Sequence, residues 1–267
     1  MQTMMTQPKF RGSSHHFMFF VSIIACAFLI FKSTNSTETI STLVYSFGVL
    51  SMFGFSALYH RTNTTIEIKQ RLRKLDHTGI FLMIAGTFTP ICLLSLPLES
   101  GLKLLTIIWS VAAVGILQSI FFSRIHRLLR ASIYLIAGWV ALPFMPILIA
   151  SLSFIKLILV VAGGIIYSIG ATAYGFRVPK LSPEVFGFHE FFHILVIIAT
   201  ILHFIVIYGL VWFATKFTKN ALSSALSSKA LSLPLLPAWP PTKFIFINIG
   251  FLEIVLSRNF GTYLAGS

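Results

Sequence analysis

Seven long apolar runs constrain the fold of this chain more than any other feature. They cover roughly residues 15–31, 40–60, 76–96, 102–122, 131–152, 155–175 and 188–213. A helix of about 20 apolar residues spans the hydrocarbon core of a bilayer. Only 10% of the chain is charged, whereas soluble domains have about 25% charged residues. The sequence therefore predicts an all-α membrane protein, a bundle of seven transmembrane helices in the cell membrane.

The basic residues predict how this bundle is oriented. The N-terminal segment and every second loop hold twelve of them: Lys9, Arg11, Arg61, Lys69, Arg71, Arg73, Lys74, Arg124, Arg127, Arg130, Arg177 and Lys180. The other loops between runs hold three, and two more, Lys216 and Lys219, lie just beyond the seventh run. Because cytoplasmic loops are enriched in Lys and Arg, we expect a cytoplasmic N-terminus and an external C-terminus. Membrane lipids then account for the net charge of +13, so we expect no nucleic-acid partner.

The same runs define the domain organisation. We expect a cytoplasmic segment at 1–14, the seven-helix domain at 15–213 and a C-terminal extension at 214–267. The extension contains one further apolar run, Phe244–Leu256, which includes Glu253. This run is too short to span a bilayer comfortably. An interfacial helix, a re-entrant segment and an extension without fixed structure remain open for it, and we assign it no function.

Five side chains able to bind a metal or move a proton lie at the ends of these runs. Ser56 and His60 end the second run, Asp76 begins the third, and His189 and His193 begin the seventh. Residues four apart share one face of a helix. Four spans separate the start of the third run from the start of the seventh. All five residues should therefore lie at the cytoplasmic level, where titratable groups are costly and usually functional.

Three imidazoles, one carboxylate and one hydroxyl at the same depth predict a metal site. Neutral imidazoles suit Zn²⁺, so the predicted ligands are His60, His189 and His193. Three protein ligands leave the fourth position for water, as in catalytic zinc sites. We expect Asp76 to act as the base for that water, and Ser56 to orient it or to support a ligand.

Three motifs in this order resemble the hemolysin III proteins. They are SALYHR at 56–61, LDHTGIFLMIAGTFTP at 75–90 and HEFFHILV at 189–196. The wider group that these proteins belong to includes the progestin and adiponectin receptors and, more distantly, the alkaline ceramidases. The likeness covers roughly residues 15–213, and the extension departs from the pattern.

The resemblance implies a fold and a site. It implies seven transmembrane helices with a cytoplasmic N-terminus, and zinc held by three histidines, carried over here to His60, His189 and His193. Asp76 matches the water-binding acid of the family, and Ser56 matches the serine one turn before the first ligand. Members of the group have been linked to lipid amide hydrolysis, to receptor signalling and to cell lysis.

Two functional classes follow from these expectations. The favoured class is a zinc-dependent membrane hydrolase that acts on an amide bond in a lipid-like substrate. The alternative is a hemolysin, or a receptor-like membrane protein, in which zinc is structural and no reaction is catalysed. The helices are apolar nearly all round, which counts against a pore with a polar stripe. The substrate and the oligomeric state stay open.

For one glutamate and the remaining histidines, the sequence predicts roles other than metal ligand. HEFFH also matches the HExxH motif of soluble metalloproteases, with Glu190 as the base. The third ligand of such proteases is missing here, because the downstream histidine position of the metzincins falls on Ala199 and the only later acid is Glu253. We therefore expect Glu190 to be a residue at the loop edge or a support for the ligands. His77 should be a packing residue, and His203 should form an interhelical hydrogen bond. Three histidines are expected in solvent or among lipid headgroups: His15, His16 and His126.

Overall fold

A computed structural model of the chain describes residues 12–122, 124–180 and 185–230, with side-chain surroundings up to Trp212. All regular elements in these ranges are helical: α1 Ser13–Lys32, α2 Ser36–Arg61, α3 Ile66–Ser95, α4 Leu98–Phe121, α5 Arg127–Gly138, α6 Met145–Ser151, α7 Phe154–Phe176 and α8 Phe188–Ala230. Seven segments are long and apolar enough to cross a membrane, which confirms the predicted fold class. The run Phe244–Leu256 lies outside the described residues.

The chain forms two compact units, Met1–Lys219 and Asn220–Ser267. All seven candidate spans belong to the first unit. The described part of the second unit, residues 220–230, is helical. The features that position the site therefore lie in the first unit.

Two helices begin earlier than the apolar runs predicted. α2 begins at Ser36 rather than about 40, because the Asn35 side chain accepts a hydrogen bond from the Glu38 N–H at 2.9 Å. The Glu38 carboxylate in turn accepts one from the Thr34 N–H at 2.7 Å. This reciprocal arrangement resembles a capping box. α3 begins ten residues before position 76, because its basic first part continues the helix beyond the apolar run and is capped by Thr65.

The fifth span is not the single helix that the sequence predicted for 131–152. It consists of α5, a 3-10 turn at Leu142–Phe144 and α6. Pro143 and Pro146 stand in the first turn of the 3-10 segment and of α6 respectively. Proline lacks an N–H and fits the start of a helix but not its interior. At the break, the Trp139 indole N–H donates to the Ser168 hydroxyl of α7 at 2.8 Å.

The helices line a cavity within the bundle. α3 packs against α2, α4 and α5, and α5 packs against α7. α8 contacts α7 through Thr200 and Tyr167, whose hydroxyls are 2.9 Å apart, and it contacts α1 and α2 through aromatic pairs. This cavity measures about 160 Å³, and residues from every described helix except α4 line it. Four of the five predicted site residues line this cavity: Ser56, Asp76, His189 and His193.

Candidate metal centre

The structure brings together the three histidines that the sequence predicted as ligands. His60 lies in the last turn of α2, and His189 and His193 lie in the first two turns of α8. One ligand nitrogen from each ring lies within 4.8 Å of the other two. The Nε2 atoms of His60 and His189 are 3.0 Å apart. This is close enough for three imidazoles to share one metal ion.

Local contacts hold both ligand-bearing helix ends. The Lys69 ammonium of α3 donates to the carbonyls of Tyr59 and Thr62, the latter at 3.1 Å, and so closes the C-terminal end of α2 beside His60. Cationic side chains near the end of a helix stabilise its last carbonyls. At the start of α8, the Glu190 carboxylate accepts a hydrogen bond from the Gly187 N–H at 2.8 Å. Glu190 therefore contacts the loop that precedes α8. This is the position that the sequence predicted for it, at the loop edge and not as the base of a protease.

Ser56 and Asp76 border the same space as the histidines. Both line the cavity together with His189 and His193. Ser56 is buried, at 2% exposure, and its hydroxyl interacts with the Asp76 carboxyl group. Arg130 of α5 is also buried and lines the cavity. Its guanidinium group interacts electrostatically with the Asp76 carboxyl group. A carboxylate, a hydroxyl and a guanidinium thus accompany the three imidazoles.

His15 was expected in solvent or among headgroups, and this expectation is wrong. It is 2% exposed, and its Nδ1 atom is 2.8 Å from the Ser56 hydroxyl oxygen. Its ring stacks on the His193 ring with centroids 3.7 Å apart and planes 9° from parallel. The sequence held no signal for this, because His15 and His16 both begin α1 and only the packing of α1 distinguishes them. His16 is exposed.

The other histidines have structural surroundings. His77 is buried, and its Nε2 atom is 3.3 Å from a guanidinium nitrogen of Arg130. His203 lies deep in α8, and its Nε2 atom is 3.1 Å from the Val160 carbonyl of α7, the interhelical hydrogen bond that was expected. His126 is exposed and caps α5 by accepting from the Leu128 N–H. None of these three belongs to the cluster of possible ligands found among the described residues.

Two spaces of opposite character adjoin the histidines. The first is the cavity of about 160 Å³, whose walls are mostly apolar and extend along the bundle past Val196 to His203 and Leu148. The second is an open cleft of about 550 Å³ at the corner between α2 and α3. His60 lines this cleft together with hydrogen-bonding side chains: Thr62, Asn63, Lys69, Gln70 and Arg73. The three imidazoles therefore lie where an apolar cavity and a polar cleft adjoin.

Comparison with known proteins identifies the family. The model of the Haemolysin-III related family matches residues 3–204. The chain belongs to this family. It is 36% identical over 157 residues to a Hemolysin-3 homolog of Bacillus subtilis (strain 168), an alignment that covers 58% of this chain and 73% of that protein. It is also 36% identical over 142 residues to Hemolysin-3 of Bacillus cereus, covering 52% of this chain and 64% of that protein.

A more distant relative lies in the receptor branch of the group. The adiponectin receptor protein of Drosophila melanogaster is 28% identical over 196 residues, which cover 64% of this chain and 42% of the receptor. Together with the seven apolar helices, these relatives establish a multi-pass membrane protein of the Haemolysin-III related family. The resemblance predicted from the three motifs is thereby confirmed.

Proposed function

We propose that this Haemolysin-III related protein is a zinc-dependent hydrolase that cleaves an amide bond in a lipid-like substrate within the membrane. The observation that carries the proposal is the cluster of three histidines, two of which line an apolar cavity together with the Asp76 carboxylate. The proposal comprises the metal, the reaction and the substrate class.

The donor set supports zinc as the metal. Tetrahedral Zn²⁺ with Zn–N bonds of about 2.0–2.1 Å requires ligand nitrogens roughly 3.3–3.4 Å apart. The cluster has one nitrogen pair at 3.0 Å, and all three donor atoms lie within 4.8 Å of one another. Small side-chain rotations would bring the three atoms to the required spacing. All three donors are imidazoles, a ligand set typical of catalytic zinc sites with an open position.

The two adjoining spaces support a lipid-like substrate. The apolar cavity opens within the bundle, where an acyl chain would bury its surface favourably. The polar cleft at the α2–α3 corner would admit water and accommodate the polar part of the substrate. A bond located between an apolar chain and a polar group would then lie beside His60, His189 and His193. This arrangement suits hydrolysis of an amphiphile better than hydrolysis of a soluble peptide.

The side chains around the histidines would divide the work of amide hydrolysis. A bound zinc ion would polarise the carbonyl group and acidify a water molecule. Asp76 would take a proton from the attacking water and deliver it to the leaving nitrogen, so that the products are a carboxylic acid and an amine. Ser56 would orient the Asp76 carboxylate, with which it interacts. Arg130 would provide the compensating positive charge in this buried setting.

Metal analysis of detergent-purified protein tests the first part of the proposal. We expect about one zinc per chain, removed by a chelator and restored by added Zn²⁺. The purified protein is then assayed against a panel of N-acyl lipids and their ester analogues. We expect release of fatty acid from at least one amide, lost on chelation and recovered on reloading. Metal-loaded protein that hydrolyses no amide in the panel would overturn the hydrolase proposal and leave the metal site standing.

A substitution at Glu190 separates this proposal from a protease-like use of the HEFFH sequence. Glu190 contacts the Gly187 N–H at the start of α8, so Glu190→Gln should retain most of the amide hydrolysis. A loss as large as that caused by changing Asp76 would instead identify Glu190 as the base. Thermal unfolding of the variant, measured in the same detergent, controls for damage to the start of α8.

Cell lysis is the second candidate function, because the matched relatives are named Hemolysin-3. In this case the metal centre would be structural, and lysis would not require turnover. Release of haemoglobin from erythrocytes by purified protein tests it. Lysis that persists in an Asp76→Asn variant with full metal content would favour this alternative over the hydrolase.

A further inference from the structure

The first turn of α1 touches both segments that carry the predicted ligands. Gly12 precedes α1 with a φ angle of +73°, a conformation that glycine adopts readily. A Cβ atom at Gly12 would lie 2.4 Å from the Cβ atom of His60. Next to it, the Arg61 guanidinium donates to the Ser13 hydroxyl at 3.2 Å. The start of α1 therefore packs directly on the last turn of α2.

One side chain in this turn links the two ligand segments. His15 contacts Ser56 of α2 through its Nδ1 atom at 2.8 Å, and it stacks on the ring of His193 of α8. Phe53 meets the His15 ring edge-on, with centroids 5.1 Å apart. Because His15 is buried and is held by the Ser56 contact and by two ring contacts, it has little freedom to reorient. It is placed to restrain the Ser56 hydroxyl and the His193 ring together.

The hydrogen-bonding capacity of Ser56 assigns a direction to these contacts. A serine hydroxyl has one proton to donate, and an ionised carboxylate only accepts. If Ser56 donates to Asp76, its oxygen must accept from His15. The neutral His15 ring then carries its proton on Nδ1. The resulting chain runs from His15 Nδ1–H to the Ser56 hydroxyl and from there to the Asp76 carboxylate.

We infer that the first turn of α1 forms a wall of the metal centre, in which His15 is the positioning residue for Ser56 and His193. This inference rests on the proposed function, because it assigns His15 a role toward the proposed metal and base. His15 acts through its two neighbours, and its two contacts serve different purposes. The stacked ring restrains a metal ligand, whereas the Nδ1–H group restrains the hydroxyl that orients Asp76.

Two substitutions separate the contacts. His15→Phe keeps an aromatic ring against His193 and loses the hydrogen bond to Ser56. We expect its zinc affinity to stay within about threefold of wild type, and its kcat to fall about tenfold with little change in KM, the loss expected for one hydrogen bond.

His15→Asn keeps an amide near Ser56 and loses the ring. We expect its zinc affinity to fall about 10- to 100-fold, as for residues that support metal ligands, and its kcat at saturating zinc to fall less than that of His15→Phe.

The matched control is His16→Phe, an exposed neighbour in the same turn. It should retain zinc affinity, kcat and KM. Zinc affinity is measured by competition with a chromophoric chelator, and the coordination geometry by the visible spectrum of the Co²⁺-substituted protein. If wild-type protein binds no zinc or hydrolyses no amide, the proposed function fails. If wild type does both, and both His15 variants match the His16 control, only the role of His15 is overturned.

A measurement on unmodified protein covers the case in which a His15 variant does not fold. The ¹⁵N spectrum of histidine-labelled protein distinguishes the two neutral imidazole tautomers. We expect the His15 resonances to report a proton on Nδ1, and the Gly12→Ala variant, in which the added methyl collides with His60, to perturb the signals of the ligand rings. A His15 ring protonated on Nε2 instead would overturn the assigned hydrogen-bond chain and with it the positioning role.

Discussion

Two of the three spans that carry the site, α2 and α3, differ from the spans at the periphery of the bundle. In the most apolar stretches of α2 and α3, 61% of positions are buried, against 28% in α4 and 17% in α7. Yet α2 and α3 have the lowest mean hydropathy of the seven spans. In a bilayer the lipid-facing surface must be apolar, whereas polar groups gather inside the protein. The least apolar helices of this protein are therefore its interior, and they hold Ser56, His60 and Asp76.

The largest expected effect comes from removing a predicted ligand. His193→Ala deletes one of three donors, and we expect metal binding to weaken by more than about 100-fold, because loss of a mere supporting residue costs 10- to 100-fold. Elemental analysis and chelator competition measure it. The control is His203→Ala. His203 lies ten residues further along the same helix and forms a hydrogen bond with the Val160 carbonyl, so this variant should keep its metal. Stoichiometric metal in purified His193→Ala protein would end the assignment.

The next largest effect concerns the carboxylate on α3. Asp76→Asn preserves shape but cannot accept a proton, so we expect amide hydrolysis to fall about 10²- to 10⁴-fold with the metal content unchanged. The control is Glu99→Gln, which changes an exposed carboxylate on the peripheral helix α4 and should leave the rate unaffected. Equal rates in the Asp76 variant and wild type would remove Asp76 from the mechanism.

A pair of phenylalanines tests whether interior and peripheral spans contribute differently to stability. Phe81 of α3 is fully buried, whereas Phe154 of α7 is 75% exposed. Phe81→Ala leaves a void among packed helices, and a loss of about 3–5 kcal/mol in the free energy of unfolding is typical of such changes. Phe154→Ala should change it by no more than about 0.5 kcal/mol. Thermal unfolding in one detergent compares them, and similar destabilisation by both would contradict the division into interior and peripheral spans.

The smallest expected effect comes from glycines at contrasting positions. A Cβ atom at Gly48 of α2 would lie 2.6 Å from the Leu82 carbonyl oxygen of α3, whereas one at Gly138 of α5 meets nothing within 4 Å. Small residues allow membrane helices to approach closely. Gly48→Ala should cost about 1–3 kcal/mol through overpacking, and Gly138→Ala should be neutral. Unfolding temperatures measured side by side check this, and a tolerated Gly48→Ala would show that α2 and α3 can separate without loss.

Much of the fold was legible in the sequence, because a bilayer imposes simple rules on chain segments. The spans and the family followed from runs of apolar residues and three ordered motifs. The start of α2 at Ser36 was not predicted, although Asn35 and Glu38 have the spacing of a capping box. The division of the fifth span at Pro143 and Pro146 was not predicted either, although proline does not fit a helix interior. These features depend on local chemistry, which a linear sequence displays.

The sequence alone determined which residues could form the centre, because the parity of the spans places Ser56, His60, Asp76, His189 and His193 at one level of the bundle. Only the tertiary structure decided that His15 joins them while His16 points away. The two histidines are adjacent and chemically identical, so no local property separates them. Which of the two is buried depends on the rotation of α1 about its own axis against α2 and α8, and long-range packing sets that rotation.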